Sequence, residues 1–354
     1  MSFLKELSGE ANPFIIAEIG VNYYDIAEKY GISVIEAAKK MILSALESGA
    51  HAVKFQSYKA GKIASKNSPA YWDQTEEPTN SQYELFKKFD HFGEEEYREL
   101  ARFTEKTGGI FCSTPFDFGS ADYLEELMPF YKISSSDITN LPFIRHISEK
   151  GKPVLLSTGA STIGEIERAV AAVEETGNTR ICIMHCVLSY PTMFEDANLN
   201  MIKHLRAVFP DYISGYSDHT RPDFSMMVLT TAWLYGAQVI EKHFTLDKTL
   251  KGNDHYHAMD PDDLKIFVNN CKMIKEINGQ YRKEPLACET GSRKQARRSI
   301  VAVRNLNEGE ILSKDMVTFK RPGAGISPGE LEKVLGRKLK KNLPEDEFLT
   351  WEHL

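Results

Sequence analysis

The sequence predicts an α/β fold, a closed (β/α)8 TIM barrel followed by a small α+β module. Three observations carry this reading. Eight short apolar runs rich in β-branched residues recur along the chain before residue 250. Amphipathic segments with helical spacing lie between them. No GxGxxG turn opens the first of those helices, which counts against a dinucleotide-binding sheet. Strands buried on both faces and joined by helices demand a parallel sheet, and eight such units with no reversal favour closure into a barrel.

In chain order the runs are FIIAEIG from Phe14, AVKFQS from Ala52, IFCSTP from Ile110, FYKISS from Phe130, PVLLST from Pro153, ICIMHC from Ile181, YISGYS from Tyr212 and VIEKHFT from Val239. The helical design is clear in VIEAAKKMILSALESG, where Ile35, Ala38, Ile42, Ala45 and Leu46 make one apolar stripe and Gly49 supplies a stop. STIGEIERAVAAVEETG repeats it: Ser161 or Thr162 caps, Glu165 lies in the first turn and Gly177 closes. Residues 278–299 are polar and basic without strong periodicity, and their cluster Arg293, Lys294, Arg297 and Arg298 reads as a solvated connector. The expected division is therefore a barrel over residues 1–279, a linker over 280–298 and a compact module over 299–354, the last built from short strands and turns such as Asn307-Glu308-Gly309.

Composition narrows the function. The 354 residues are 42% hydrophobic and 26% charged, as in a folded soluble protein. A net charge of -7 argues against a phosphate-tracking nucleic-acid binder while leaving room for a local basic site for a small anion. Five cysteines without a CxxC pair, three of them (Cys112, Cys182, Cys186) inside apolar runs, suit reduced, buried thiols. No leader-like amino terminus and no run of 18 apolar residues is present, so the expected location is cytoplasmic, with no membrane partner.

In a (β/α)8 barrel the reacting groups come from the C-terminal ends of the strands. Here those ends are polar: Glu18 and Asn22; Lys54 and Gln56; Ser113 and Thr114; Lys132, Ser135 and Asp137; Ser157 and Thr158; Ser217, Asp218 and His219; Glu241, Lys242, His243 and Thr245. Each has an ordinary explanation, since a lysine can snorkel, a hydroxyl can cap the next helix, and Glu18 can pair with a lysine to satisfy burial. Converging on one mouth, they would be costly without a ligand. Lys54 and Lys132 supply charge for a phosphate and a carboxylate, and the hydroxyls fix those oxygens. His219 and His243, on adjacent strand ends, suit a shared divalent cation, and two imidazoles with no third protein ligand leave positions open for Lewis-acid catalysis.

The stretches IIAEIGVN, AVKFQSYKA, STPFD, YKISSSDITNLPFI, GKPVLLSTGAS, HCVLSYPT, GYSDHT, EKHFTLDK and FKRPGAG resemble, in this order and nearly end to end, the sialic acid (N-acetylneuraminate) synthase family, which includes the legionaminic and pseudaminic acid synthases. The resemblance implies a barrel, a C-terminal antifreeze-like (SAF, β-clip) domain, and a domain-swapped homodimer in which one chain's tail caps the other's barrel. It implies phosphoenolpyruvate contacts at Lys54, Gln56, Thr114, Lys132, Ser135, Ser157 and Ser217, and sugar contacts at Glu18, Tyr190, Asp254 and Arg321. It also implies a divalent metal on His219 and His243, usually Mn2+, with Mg2+ or Co2+ as alternatives. The chain departs from the family pattern in the Tyr23-Tyr24 insertion through IAEKYG, in Asp137 where Glu is usual, and in Leu188 where Asn or Ser is frequent. These departures bear on the acceptor more than on the reaction.

The reaction so implied joins C3 of phosphoenolpyruvate to the aldehyde of an open-chain N-acylated hexosamine, with water attacking C2 and phosphate leaving. The acceptor is N-acetylmannosamine or a 2,4-diacetamido-trideoxyhexose, the apolar departures pointing to the latter. Glu18 and Asp137 are the candidates for orienting or deprotonating the water, with His219 and His243 as the other catalytic positions. Two rivals remain at this stage. One is a Schiff-base pyruvate aldolase using a strand-end lysine. The other is a non-catalytic carbohydrate-binding protein, suggested only by the tail.

Overall fold

The computed structural model describes residues 13–72, 74, 77–252 and 254–354. The eight apolar runs become parallel strands: β1 (Phe14–Gly20), β2 (Ala52–Ser57), β3 (Ile110–Pro115), β4 (Tyr131–Ile133), β5 (Val154–Ser157), β6 (Ile181–Cys186), β7 (Ile213–Asp218) and β8 (Val239–His243). They form one sheet in the order β3-β2-β1-β8-β7-β6-β5-β4, a barrel-like arrangement with helices between successive strands. At the seam β3 lies beside β4 without ladder bonds among the described pairings. There the Ser113 amide donates to the Met128 sulfur instead (3.4 Å).

β4 is shorter than the run FYKISS suggests. Ser134 Oγ accepts from the Ser136 amide and caps a 3-10 turn over Ser135–Asp137, so local side-chain bonding ends the ladder there. That turn carries Ser135 and Asp137.

The helix Val34–Glu47 begins on a capping box of Ser33 and Glu36, and Gly49 follows its end at φ +105°. Its buried residues are Ala37, Ala38, Met41, Ile42 and Ala45, with Ile35 and Leu46 half-buried at the edge of the stripe. In the helix Ile163–Glu174 the cap is Thr162, closed by Glu165. The segment IAEKYG is helical too, Tyr23–Tyr30, with Ile26 and Ala27 buried.

One compact unit runs to Ile277 and a second spans Asn278–Leu354. The region expected as a linker carries a short helix, Thr290–Gln295, whose residues are exposed. In the second unit β9 (Ser299–Ala302) pairs antiparallel with β10 (Val317–Lys320). Ile300, Leu306, Leu312, Val334, Leu339 and Leu349 are among the residues that form its separate core. Asn307-Glu308-Gly309 turns as expected, with Gly309 at φ +90°. All five cysteines are free, Cys112, Cys182, Cys186 and Cys271 buried and Cys288 exposed.

Candidate active site

Parallel pairing puts register partners at one level of a barrel, with their side chains on the same face. Glu18 is the register partner of Lys54 on one side and of His243 on the other, Gln56 pairs with Thr114, and Ser217 with Glu241. Alternation along each strand then sets the inner group: Lys54 with Gln56, Ser217 with His219, Glu241 with His243. Glu18, Lys54, Gln56, Thr114, Lys132, Ser135, Asp137, Ser157, Tyr190, Ser217, His219, His243 and Asp254 all line one cavity of about 550 Å³. These are all the residues given a catalytic, substrate or metal role from the sequence except Arg321, which belongs to the second unit; of the other polar strand-end residues Glu241 also lines the cavity, whereas Asn22, Ser113, Thr158, Asp218, Lys242 and Thr245 do not.

The floor of the cavity is an alternating charge network. Lys54 Nζ is 2.6 Å from Glu18 Oε2 and 3.5 Å from Glu241 Oε1, and Lys132 Nζ is 3.2 Å from the same Glu241 oxygen. Lys54 also donates to Thr114 Oγ1 (2.9 Å), Gln56 Nε2 to Glu18 Oε1 (3.0 Å) and Ser217 Oγ to Glu241 Oε1 (3.2 Å). Gly20 lets Gln56 approach, since a Cβ there would stand 3.1 Å from Gln56 Nε2 and 3.3 Å from Glu18 Oε1. Glu241 Oε2 and Ser157 Oγ are buried without a hydrogen-bond partner. Such groups are rare in folded proteins and mark places where a ligand completes the bonding.

The two carboxylates differ in acidity. Burial pushes Glu18 up to about 7 against the opposing pull of Lys54 and Gln56. Burial acts the same way on Glu241, but Lys132 and Lys54 outweigh it and hold that carboxyl below its usual range. One group thus titrates near neutrality beside one that stays ionised, a division that suits acid-base work. Asp137 is also raised by burial, opposed by Asn140, which donates to its Oδ1 (3.2 Å). Burial opposes the charge on Lys54, yet Glu18 and Glu241 raise its pKa and keep it an ammonium.

The two imidazoles expected to hold a cation come together at the rim, with ring centroids 5.4 Å apart. His219 Nδ1 bonds the Val187 carbonyl (2.7 Å), which leaves Nε2 as its free donor. Burial first, then the neighbouring His257 and His219, holds His243 well below the usual imidazole range, so it is neutral and able to ligate. Further side-chain donors stand beside the second of these imidazoles. Asp254 Oδ2 stands 3.2 Å from His243 Nδ1, and ligand atoms of His243, Asp254 and His257 lie within 4.8 Å of one another. Asn22 positions this loop, donating to the Phe244 carbonyl (3.1 Å) and accepting from the Asp254 amide (3.3 Å).

Behind the imidazoles lies a clamp that sequence reading did not assign. Asp218 and Lys242, each preceding one of the histidines, form an ion pair buried to about 1% exposure, and Lys242 Nζ also donates to the Thr220 carbonyl (2.7 Å). Tyr216 Oη donates to Asp218 (2.8 Å). Lys242→Met would strand the buried Asp218 carboxylate, and the expected cost is about 3–5 kcal/mol of stability. Denaturant unfolding checks this, and a loss under 1 kcal/mol would contradict it. The alternation that places His219 and His243 inward was the signal that could have found both the clamp on the opposite face and Glu241 on the inner one.

The Tyr23-Tyr24 departure does not line the cavity. Tyr23 is wholly buried, packing on Phe55 and Phe92, and Tyr24 lies tilted against Phe89. The aromatic wall comes instead from Tyr58, Tyr71, Trp72, Phe86 and Phe89 in the long connection between β2 and β3 and from Tyr256, together with Leu188. Tyr190 covers His219 (ring centroids 4.2 Å) and is held by Tyr256 Oη, which donates to its carbonyl (3.0 Å).

The family model described as the NeuB family matches residues 41–283, and the SAF domain model matches residues 297–354. The chain belongs to the NeuB family. It is 37% identical to N,N'-diacetyllegionaminic acid synthase of Legionella pneumophila over 96% of this chain and 94% of that protein. To human (Homo sapiens) N-acetylneuraminate-9-phosphate synthase it is 31% identical, over 98% of this chain and 94% of that protein. The crystal structure of N-acetylneuraminic acid (sialic acid) synthetase from Leptospira borgpetersenii serovar Hardjo-bovis superposes with a TM-score of 0.67 at 31% identity, over 79% of this chain and 90% of that one. The fold is thus a TIM-like NeuB barrel followed by an SAF domain, within a family of nonulosonic acid synthases. Among the described residues no helix is long and apolar enough to cross a membrane.

Proposed function

We propose that this NeuB-family chain condenses phosphoenolpyruvate with an open-chain N-acylated hexosamine and releases phosphate, forming a nonulosonic acid. The observation that carries the reading is the gathering of Lys54, Lys132, Thr114, Ser135, Ser157 and Ser217 with Glu18, His219 and His243 around one cavity. The lysines and hydroxyls bind the phosphate and carboxylate of phosphoenolpyruvate, Gln56 orients Glu18, and Ser157 Oγ supplies a donor that no protein group uses. Tyr190 and Asp254 face the acceptor. Glu18 and Asp137 share the task of orienting and deprotonating water for attack at C2, because a carboxylate beside developing positive charge both stabilises it and accepts a proton.

The donors present fit a divalent cation: a neutral, buried His243 with an unpartnered Nδ1, and His219 with Nε2 free. His219 and His243 would hold it, with manganese the first candidate and magnesium or cobalt the alternatives. When bound, it would supply Lewis-acid polarisation of the acceptor aldehyde.

The aromatic wall and Leu188 favour an acceptor with fewer hydroxyls, a 2,4-diacetamido-trideoxyhexose over N-acetylmannosamine. The deciding experiment measures phosphate release from phosphoenolpyruvate with both sugars. Higher kcat/KM for the diacetamido sugar is expected, equal or better use of N-acetylmannosamine would reject that preference, and no release with any acetamido sugar would reject the reaction. A Schiff-base aldolase using Lys132 or another strand-end lysine is disfavoured because both lysines at the site are ion-paired, Lys132 with Glu241 and Lys54 with Glu18, and borohydride with pyruvate is expected to trap no adduct. A merely carbohydrate-binding protein would have no use for this ionic floor.

Because Glu18 is raised to about 7, it is protonated and unable to accept a proton at lower pH. Accordingly kcat/KM is expected to fall as pH drops through about 7, well above the range of an ordinary carboxylate. In Glu18→Gln the residual rate should lose that limb, and a limb that persists unchanged in the variant would remove Glu18 from the role.

The same reading includes a cytoplasmic location and a domain-swapped homodimer in which Arg321 reaches the partner's acceptor. The support lies in its loop. Ser299 Oγ donates to the Pro322 carbonyl (2.6 Å) and accepts from the Gly325 amide (2.8 Å), while a Cβ at Gly323 would meet Arg297 Cβ at 2.9 Å. The turn is anchored and Arg321 itself is exposed.

A further inference from the structure

The reaction proposed above leaves one buried imidazole without a task. His257, on the segment after β8, has no solvent exposure, and neither Nδ1 nor Nε2 has a hydrogen-bond partner. A histidine kept only for packing ordinarily bonds through at least one ring nitrogen, because burying both unpaired costs free energy. Its neighbour His255 shows the ordinary case, with Nδ1 on Thr245 Oγ1 (2.7 Å) and Nε2 on Asp25 (3.0 Å). His257 is aimed instead at a carboxylate. Its Nε2 is 3.6 Å from Asp254 Oδ1, while Asp254 Oδ2 is 3.2 Å from His243 Nδ1. Ligand atoms of these three residues lie within 4.8 Å of one another, and His219 is not among them. The segment is pinned to β8: the Met259 amide donates to the His243 carbonyl (2.8 Å), and the Met259 carbonyl accepts from the Thr245 amide (3.0 Å).

Tetrahedral zinc, with bonds of ~2.1 Å, sets its donors roughly 3.4 Å apart and the centroids of two bound imidazoles, ~1.1 Å beyond the nitrogens, roughly 5.2 Å apart. The observed spacings are 3.2 and 3.6 Å at Asp254 and 4.9 Å between the rings of His243 and His257. The His219 ring, 6.2 Å from that of His257, falls outside this geometry. We propose that His243, Asp254 and His257 form a second divalent-cation position, suited to zinc, that excludes the one His243 shares with His219. Two imidazoles and a carboxylate with a fourth position open are a zinc donor set, and such a set binds zinc ahead of manganese. His243 and Asp254 line the cavity and His257 does not, so the ion enters from the cavity and His257 closes the site from behind. An ion held here takes His243 from the first position and ties up Asp254, which faces the acceptor. Zinc in this position therefore inhibits turnover instead of supporting it.

The site stands on its own geometry, its effect on turnover rests on the role given to His243 in the proposed function, and the test keeps the two apart. The full chain, stripped of metal, is titrated with Zn2+ alone against a chromophoric chelator. Tight binding is expected, with affinity on the order of 100-fold weaker in His257→Gln and nearly unchanged in His219→Ala. In turnover supported by Mn2+, Zn2+ should inhibit the wild type in competition with Mn2+. His257→Gln should keep its zinc-free rate and need on the order of 100-fold more Zn2+ for the same inhibition. Zinc affinity that falls in His219→Ala, or holds in His257→Gln, would overturn the second position, as would a wild type that binds no zinc. Tight zinc binding without inhibition would overturn the exclusion between the two positions. Absence of turnover with Mn2+ alongside the expected zinc affinities would overturn the proposed reaction and leave this site standing. The His219→Ala arm decides the matter even if the glutamine variant folds poorly.

Discussion

His219→Ala and His243→Ala are each expected to lower kcat/KM by about 1,000-fold or more, and prolonged treatment with EDTA should abolish turnover until a divalent cation is returned. The magnitude follows from the several kcal/mol of transition-state charge stabilisation that a bound cation provides. Neither imidazole is needed for the hydrophobic core, since both sit at the rim of the cavity among polar groups. The variants should therefore keep the wild-type circular dichroism spectrum and unfold cooperatively. Steady-state kinetics on chelated, reconstituted and variant protein tests this. Full turnover in a rigorously metal-free sample would sink the cation.

The second large effect concerns Arg321. Arg321→Ala is expected to raise KM for the acceptor sugar by roughly 10- to 100-fold, the worth of a charge-assisted hydrogen bond, while leaving phosphoenolpyruvate binding nearly unchanged. The assembly can be tested by mixing Arg321→Ala with His219→Ala. In a swapped heterodimer one site combines an intact barrel with an intact tail, and the other carries both lesions. With the acceptor held well below its KM, isolated heterodimers should then recover about half of wild-type activity from one parent lowered roughly 10- to 100-fold and another nearly inactive. If folded, verified heterodimers recover nothing, Arg321 does not act across the dimer.

Much of this was legible in the sequence because the barrel writes its rules locally. Alternating apolar runs and helical stripes encode eight parallel strands, and the polar strand ends from Glu18 to His243 mark the cavity mouth. Thr162 and Ser33 cap where short-range chemistry demands. Local signals misled where a side chain redirected the backbone, as Ser134 does at the end of β4. The departure at Tyr23 and Tyr24, expected to bear on the acceptor, instead packs into aromatic layers outside the cavity lining.

By itself the sequence determined the fold class, the family and the identity of the polar groups at the strand ends, since each depends on residue type and spacing along the chain. Tertiary structure decided how those groups are paired. Register places Glu18 between Lys54 and His243, where burial lifts its carboxyl to about 7 against the pull of Lys54, while Glu241, set between two lysines, is held below its usual range. It also brings Asp254 and His257 against His243 from a segment whose sequence gives no sign of that contact. The physical reason is that acidity and ligation depend on distances of a few ångströms between residues far apart in the chain, and only packing sets those distances.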